Sequence, residues 1–268
     1  MMRTTSKSKT LSRLGVFLLL TSVISFIVFY VIVMVSSRSQ TYVDVSTMKL
    51  VQMQEIEEGA PIAVVDTTYG EFRAVLYPQY APATVENFIM LANAGYYDNT
   101  LVFEQKQGVY AAAGAPNTDG SLDNQTVTNE YIPIEPHQNL WPLRGALCAM
   151  NTNEEGGFFD RLFGNTKTYS GSRFLLLGSV DFTDEAFVTE FREVTGSEEL
   201  ANAFVERGGV PNFAQQMTVF AQTYEGMEVV DAICNAAVLE APNAAGYTPP
   251  VEECRILSVK IAEYAPEQ

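Results

Sequence analysis

Side chains that commonly carry out catalysis are scarce in this sequence. The chain has 1 histidine, 1 tryptophan and 3 cysteines among 268 residues. His137 lies in the proline-rich stretch IPIEPHQNLWP, which is typical of a loop and not of a catalytic base. There is no Ser-His-Asp set, no zinc cluster and no glycine-rich phosphate loop, so the sequence predicts neither a metal nor a cofactor.

The cysteines form no redox or metal motif. Cys148, Cys234 and Cys254 are far apart, and their odd number leaves at least one without a partner in the chain. We expect all three to be buried as small hydrophobic residues. One disulfide remains an alternative, because sequence alone cannot select a pair.

Positive charge is also scarce. The 16 Lys and Arg residues are outnumbered by 32 Asp and Glu, which gives a formal net charge of −16 at pH 7. Such a surface repels nucleic acid and anionic lipid head groups, so we expect no nucleic-acid partner. We interpret the acidity as a solubility feature, with attraction of basic clients as the alternative.

Charge is absent altogether from residues 14–37, LGVFLLLTSVISFIVFYVIVMVSS. About 20 apolar residues span a bilayer as a helix, and this run exceeds the apolar region of most signal peptides. The basic tail 1–13 precedes it, which favours a cytoplasmic N-terminus. We therefore predict a single-pass signal anchor in the cell membrane, with the following domain outside the cytoplasm. Cleavage after the anchor is the alternative.

The remaining sequence predicts a stalk and one β-rich domain. Residues 38–60 are mixed and mildly periodic, as a stalk would be. Residues 61–78 suggest a β-hairpin, and the stretch from Pro82 to Gly95 has helical periodicity. Further strands are predicted at LVFEQ, VYAAAG, GALCAM, SRFLLLGS, MTVFAQTY and CRILSVKIAEY, with a second helix at GMEVVDAICNAA. Many short strands with two helices predict a closed antiparallel barrel capped by helices.

The order of several segments between residues 61 and 264 resembles the cyclophilin-type peptidyl-prolyl cis-trans isomerases. The matching segments are YPQYAPATVENFIMLANAGYYDNTLVF, RGALCAMN, SGSRFLLL and TVFAQTYEGMEVVDAI. The resemblance implies an eight-stranded β-barrel with a helix over each end and a short tail at 265–268. It also implies isomerase activity on proline-containing polypeptide segments.

The stretch LVFEQKQGVYAAAGAP departs from the family pattern F-H-R-V-I-P-G-F-M-I-Q-G-G-D-P. The resemblance places Glu104 at the His position and Gln105 at the catalytic Arg position, with one residue missing before Gly108. In SGSRFLLL, Arg173 replaces a glutamine of the same groove, so the two positions look exchanged and Gln105 and Arg173 are the candidate catalytic residues. The alternative is that Arg173 pairs with Glu104 or with a carboxylate of the 151–170 loop. The implied peptide groove consists of Phe103, Val109, Tyr110, Ala112, Asn151, Phe174, Leu175 and Met217.

These departures leave two functions open. The resemblance implies an isomerase, which the predicted anchor places at the membrane outside the cytoplasm. Gln105 at the catalytic Arg position predicts that its activity is weak or lost, because a neutral amide offers weaker donors than a guanidinium. The alternative is a non-catalytic module at the cell surface that binds proline-containing peptides or proteins. Insertions at about 152–169 and 183–212 flank the groove strands. The apolar pattern of the second insertion predicts one or two helices, which either pack on the barrel or are available to a partner.

Overall fold

The computed structural model describes residue 45 and residues 47–121, 131–153 and 168–266. The predicted anchor and basic tail, and most of the first insertion, lie outside these residues. No helix in the described ranges is long and apolar enough to cross a membrane.

The described chain is mostly β-structure with a few helices. The strands are β1 (Pro61–Thr67), β2 (Gly70–Leu76), β3 (Thr100–Leu101), β4 (Glu104–Lys106), β5 (Tyr110–Ala113), β6 (Ile132–Pro133), β7 (Ala146–Ala149), β8 (Thr152–Asn153), β9 (Thr168–Ser170), β10 (Phe174–Leu177), β11 (Val219–Glu225) and β12 (Arg255–Glu263). The helices are α1 (Pro82–Asn93), α2 (Glu185–Thr195), α3 (Glu198–Arg207) and α4 (Met227–Asn235), with 3-10 turns at Val51–Met53 and Pro211–Phe213.

Nine strands form one curled antiparallel sheet, in the order β3-β12-β1-β2-β11-β7-β10-β5-β4. The predicted hairpin of β1 and β2 is confirmed, with Ile62 paired to Val75. The two outer strands, β3 and β4, are consecutive in the chain. Between them Val102 donates its N–H to Cys254 O and Phe103 donates its N–H to Ala112 O. The mostly-β class is therefore confirmed, whereas a closed eight-stranded barrel stays a prediction.

The two predicted helices, α1 and α4, pack against the inner face of the sheet. Val85, Phe88 and Leu91 of α1 are buried, and the Phe88 ring lies 5.1 Å from that of Phe220 on β11. The first turn of α1 is capped by a distant carboxylate. Glu135 accepts the backbone N–H groups of Ala83 and Thr84, at 3.1 and 2.9 Å. These bonds satisfy donors that a helix leaves unpaired at its start.

The second insertion forms a helical hairpin, α2 and α3. Asp184 caps α2 through its side chain, and Ser197 caps α3 after a left-handed turn at Gly196. Phe204 of α3 is 1% exposed and packs with Leu200, Trp141 and Leu143. A separate hydrophobic cluster, to which both the hairpin and the rest of the domain contribute, therefore joins the two.

The second half of the predicted stalk packs against the hydrophobic cluster around Phe204, which we call the insertion core. Met48 and Leu50 are buried in the same cluster as Trp141 and Phe204. Gln52 is 5% exposed, and its side chain donates to Trp141 O and accepts from Trp141 N, at 2.8 and 2.7 Å. We call residues 47–57 the strap. The strap is part of the folded domain, which differs from the spacer that the sequence suggested.

All three cysteines are buried and unpaired, so the expectation of small hydrophobic residues is confirmed and the disulfide alternative is wrong. Burial raises the pKa of the Cys234 thiol to about 12 and that of Cys254 to about 11. Both thiols therefore stay protonated and unreactive at neutral pH.

Candidate functional site

One transverse row of the nine-stranded sheet carries residues that the resemblance assigns to the peptide groove. Glu104 of β4 pairs with Ala112 of β5, and Ala112 pairs with Leu175 of β10. Leu175 pairs in turn with Cys148 of β7. Directly paired residues of antiparallel strands point to the same side of the sheet. These side chains therefore share one face, which is apolar except at Glu104 on the outer strand.

Partly exposed apolar side chains continue this face. Tyr110 is two residues from Ala112 on β5 and so points the same way. Its ring lies 5.9 Å from that of Phe213. We call the following set the groove face: the partly exposed Val109, Tyr110, Met150, Phe213 and Met217, together with the buried Ala112 and Leu175. An apolar surface of this kind gains free energy by removing the ring of a bound proline from water.

Glu104 and Tyr110 are joined at the edge of the groove face. The Tyr110 hydroxyl donates to Glu104 Oε1 at 3.1 Å. Burial, and then the neighbouring Glu104 carboxylate, raise the pKa of Tyr110 to about 12. The phenol therefore stays protonated at neutral pH and can hold the carboxylate in place.

Gln105 belongs to the opposite face of the sheet. It pairs with Ala111, which pairs with Leu176 in the inner core. The side chain is 4% exposed, and its amide donates to Cys234 O at 3.0 Å and to Ala236 O at 2.6 Å. It thus satisfies carbonyl groups that α4 leaves unpaired at its C-terminus. Glu104, and not Gln105, therefore lies on the side of the sheet that carries Ala112 and Leu175, which differs from the placement of Gln105 in the groove that the resemblance implied.

Comparison with known proteins identifies the family. Residues 62–261 match the family described as cyclophilin type peptidyl-prolyl cis-trans isomerase/CLD. The chain belongs to this cyclophilin family.

Curated relatives and solved structures agree with this assignment. A bifunctional phosphatase/peptidyl-prolyl cis-trans isomerase of Streptococcus pyogenes serotype M6 is 28% identical over 177 residues, which cover 65% of this chain and 34% of that protein. A peptidyl-prolyl cis-trans isomerase of Staphylococcus aureus strain USA300 is 26% identical over 185 residues, which cover 69% of this chain and 86% of that protein. The chain therefore spans about a third of the first relative and most of the second.

A solved cyclophilin has the same fold. The Cryptosporidium parvum cyclophilin-type isomerase, crystallised in the presence of the dipeptide Ala-Pro, matches with a TM-score of 0.54 and 17% identity. The match covers 75% of this chain and 98% of that one. At this identity the likeness shows the fold of the cyclophilin domain alone.

Arg173 lies beside the groove row of the cyclophilin domain, but its guanidinium is turned into the protein. The residue is 6% exposed and donates to Gly120 O, the Tyr247 hydroxyl and Thr152 Oγ1, at 3.1, 2.8 and 3.0 Å. No described carboxylate lies within ion-pair distance of Arg173, and Glu104 is bonded to Tyr110 instead. The acidic residues of the 151–170 loop lie outside the described chain.

The other predicted groove residues divide between the two faces. Phe103 packs in the same hydrophobic cluster as the groove face, but it is 1% exposed and its ring lies 5.0 Å from that of Tyr247. Phe174 belongs to the inner core. Asn151 donates to Gln216 O at 2.7 Å and thus fixes the segment before Met217. The structure therefore brings together Val109, Tyr110, Ala112, Leu175 and Met217, and leaves Gln105 and Phe174 outside the groove face.

Three contributors to this face were not predicted. Phe213 follows the second insertion, where no family motif marks it. Met150 directly precedes Asn151 in CAMN, but the resemblance did not place it in the groove. Glu104 was assigned to the His position, so its role at the edge was missed. His137, which the sequence placed in a loop, packs against Tyr80 with tilted rings whose centres are 4.7 Å apart, and burial lowers its pKa. No group of His, Cys, Asp or Glu in the described chain has the arrangement of a metal site.

Proposed function

We propose that this chain is a cyclophilin-type protein that binds proline-containing segments on its groove face and isomerises them weakly or not at all. One observation carries the proposal. The apolar face is retained, but the guanidinium beside it, that of Arg173, is buried and already bonded to Gly120, Tyr247 and Thr152. The presence of Ala-Pro in the crystals of the Cryptosporidium parvum cyclophilin supports the choice of ligand.

Weak catalysis follows from the physics of the reaction. Rotation about an X-Pro bond has a barrier of about 18–20 kcal/mol, with no bond made or broken. An isomerase must therefore bind the twisted amide better than either planar form. The family is expected to supply a guanidinium for this purpose. Here Glu104 presents a carboxylate, which only accepts hydrogen bonds when ionised. The side-chain amide of Gln105 donates instead to carbonyl groups at the C-terminal end of α4.

The two candidate functions, a weak isomerase and a binding module, differ in how much of the catalytic rate is lost. Removal of one preorganised donor typically slows a reaction by about 10²–10³-fold. The groove face can still bind a proline ring, because its apolar area is unchanged by that loss. A binding module without useful turnover is therefore the second candidate, and the same apolar face supports it.

We also propose that the protein is anchored in the cell membrane by residues 14–37 with the cyclophilin domain on the outer side. The uncharged run and the basic tail 1–13 support this location. Clients would then be exported or surface polypeptides that contain proline.

Binding to the groove face can be tested with matched lysine substitutions. A blocked Ala-Ala-Pro-Ala peptide is titrated into the full chain, into Met217→Lys and into Val194→Lys. Met217 lies on the groove face, whereas Val194 of α2 is 79% exposed. We expect Met217→Lys to weaken binding at least about tenfold, since an apolar contact becomes charged. Val194→Lys should bind as the wild type does. Equal binding by all three proteins, or no binding at millimolar peptide, would contradict the proposal.

A further inference from the structure

We propose that Glu104 and Tyr110 form an acidic subsite at the edge of the groove face, which selects client segments with Lys or Arg next to the proline. The inference rests on the proposed function, because it assigns a sequence preference to the same groove. It concerns the outer strand β4 and the neighbouring strand β5.

The position of Glu104 follows from strand pairing. Its partner Ala112 belongs to the groove face, and so does Leu175 on the far side of Ala112. The carboxylate therefore lies at the outer end of this buried row, beside the partly exposed ring of Tyr110, against which a proline ring would pack. It is half-buried, so it is neither sealed in the core nor freely solvated.

The carboxylate is held in place but keeps accepting capacity. Only Oε1 receives a hydrogen bond from a described residue, the Tyr110 hydroxyl. An ionised carboxylate has about four lone-pair sites, so most remain available to an ammonium or guanidinium group. Because Tyr110 is itself fixed against Phe213, the carboxylate is preorganised next to the apolar face. Preorganised, charge-assisted hydrogen bonds are stronger than neutral ones.

The cation nearest along the chain does not neutralise this carboxylate. Lys106 is two residues from Glu104 on β4, and it is exposed. No ion pair joins the two, although some described arginines, such as Arg73 and Arg144, do form ion pairs with acidic residues. A cation of the client can therefore take the unfilled place. The formal net charge of −16 would also attract basic clients over longer distances.

The test uses peptides that differ only in charge. Blocked peptides carry Lys directly before or directly after the Ala-Pro pair, and matched peptides carry norleucine there. Binding to the full chain is measured by calorimetry at low salt. For the wild type we expect the better-placed Lys peptide to bind about three- to tenfold tighter than its norleucine counterpart, as a partly buried ion pair allows.

Substitutions then assign the preference to Glu104. Glu104→Gln keeps the shape and can still accept from Tyr110, but it should bind Lys and norleucine peptides equally. Glu190→Gln, which removes an exposed carboxylate from α2, should retain the wild-type preference. Equal binding of Lys and norleucine peptides by the wild type would overturn the subsite while leaving the proposed function intact. If no proline peptide binds, both the proposed function and the subsite fail. A preference that persists in Glu104→Gln would also overturn the subsite.

Discussion

Neighbouring residues on β4 have opposite surroundings, and this decides the chemistry of the site. Glu104 points to the groove face and bonds to Tyr110, whereas Gln105 points inward and bonds to the end of α4. A frame error of one residue exchanges these environments, since strand side chains alternate with a period of two. The resemblance puts the catalytic position at Gln105, whereas the side of the sheet that carries Ala112 and Leu175 carries Glu104.

Arg173 illustrates how burial distinguishes a structural from a catalytic role. Its three hydrogen bonds tie together Gly120, Thr152 and Tyr247, and its guanidinium carbon lies 6.0 Å from the centre of the Phe103 ring. A side chain so engaged is not free to rotate over a bound proline amide. These contacts favour a structural role for Arg173, and a catalytic role for it stays a prediction.

Arg173→Ala should therefore lower stability and leave function per folded molecule unchanged. The free energy of unfolding should fall by about 2–3 kcal/mol, because buried acceptors lose their donors. Arg192→Ala is the control, since Arg192 is exposed on α2 and bonds to Asn202, and it should change stability by less than about 0.5 kcal/mol. Both values come from chemical denaturation. A tenfold drop in any residual isomerase activity, with unchanged stability in Arg173→Ala, would restore the catalytic role.

The helices and longer strands were predictable from local pattern, while the orientation of short strands was not. α1 and α4 were found from their periodic apolar residues, and β1, β2 and β12 from alternation or turn signals. β4 reads Glu-Gln-Lys, so every position is polar and no alternation shows which one is buried. Gln105 is buried because its amide donates hydrogen bonds to carbonyl groups about 130 residues further along the chain. A local sequence pattern cannot reveal such distant partners.

The strap was missed for the same reason. Its anchor is a buried glutamine that bonds to Trp141 and also donates to Gln222 Oε1 at 2.8 Å. Polar residues in a segment of mixed composition suggest a solvated linker when read alone. The strap contributes buried Met48 and Leu50 to the insertion core, so it joins the N-terminal chain to the α2–α3 hairpin.

Gln52→Ala should loosen the strap, and Gln54→Ala should not. Gln52 is buried, and its loss leaves the Trp141 N–H without its acceptor, whereas Gln54 is exposed. Leaving a buried donor unpaired costs about 1–3 kcal/mol. We expect Gln52→Ala to accelerate tryptic cleavage after Lys49 and to lower the unfolding midpoint. Equal cleavage rates in both variants would show that the strap does not depend on this glutamine.

At the scale of the whole molecule, an acidic cyclophilin domain follows a basic tail and an uncharged run. This order of charge predicts that protease added to intact cells removes residues 47–266 and spares the tail 1–13. Tagging both ends and following the fragments on a gel would check this. Protection of the domain in intact cells, but not in lysed cells, would place it on the inner side of the membrane.

The groove face and the missing guanidinium together lead to the expectation of binding without efficient turnover. The decisive experiment measures the cis-trans exchange rate of an Ala-Pro peptide by NMR, with the full chain in mild detergent. A cyclophilin that has the intact F-H-R motif is measured beside it. We expect the peptide to bind, with kcat/KM about 10²–10³-fold below that of the intact cyclophilin. A kcat/KM within tenfold of the intact enzyme would contradict this expectation and show that another group supplies the missing donor.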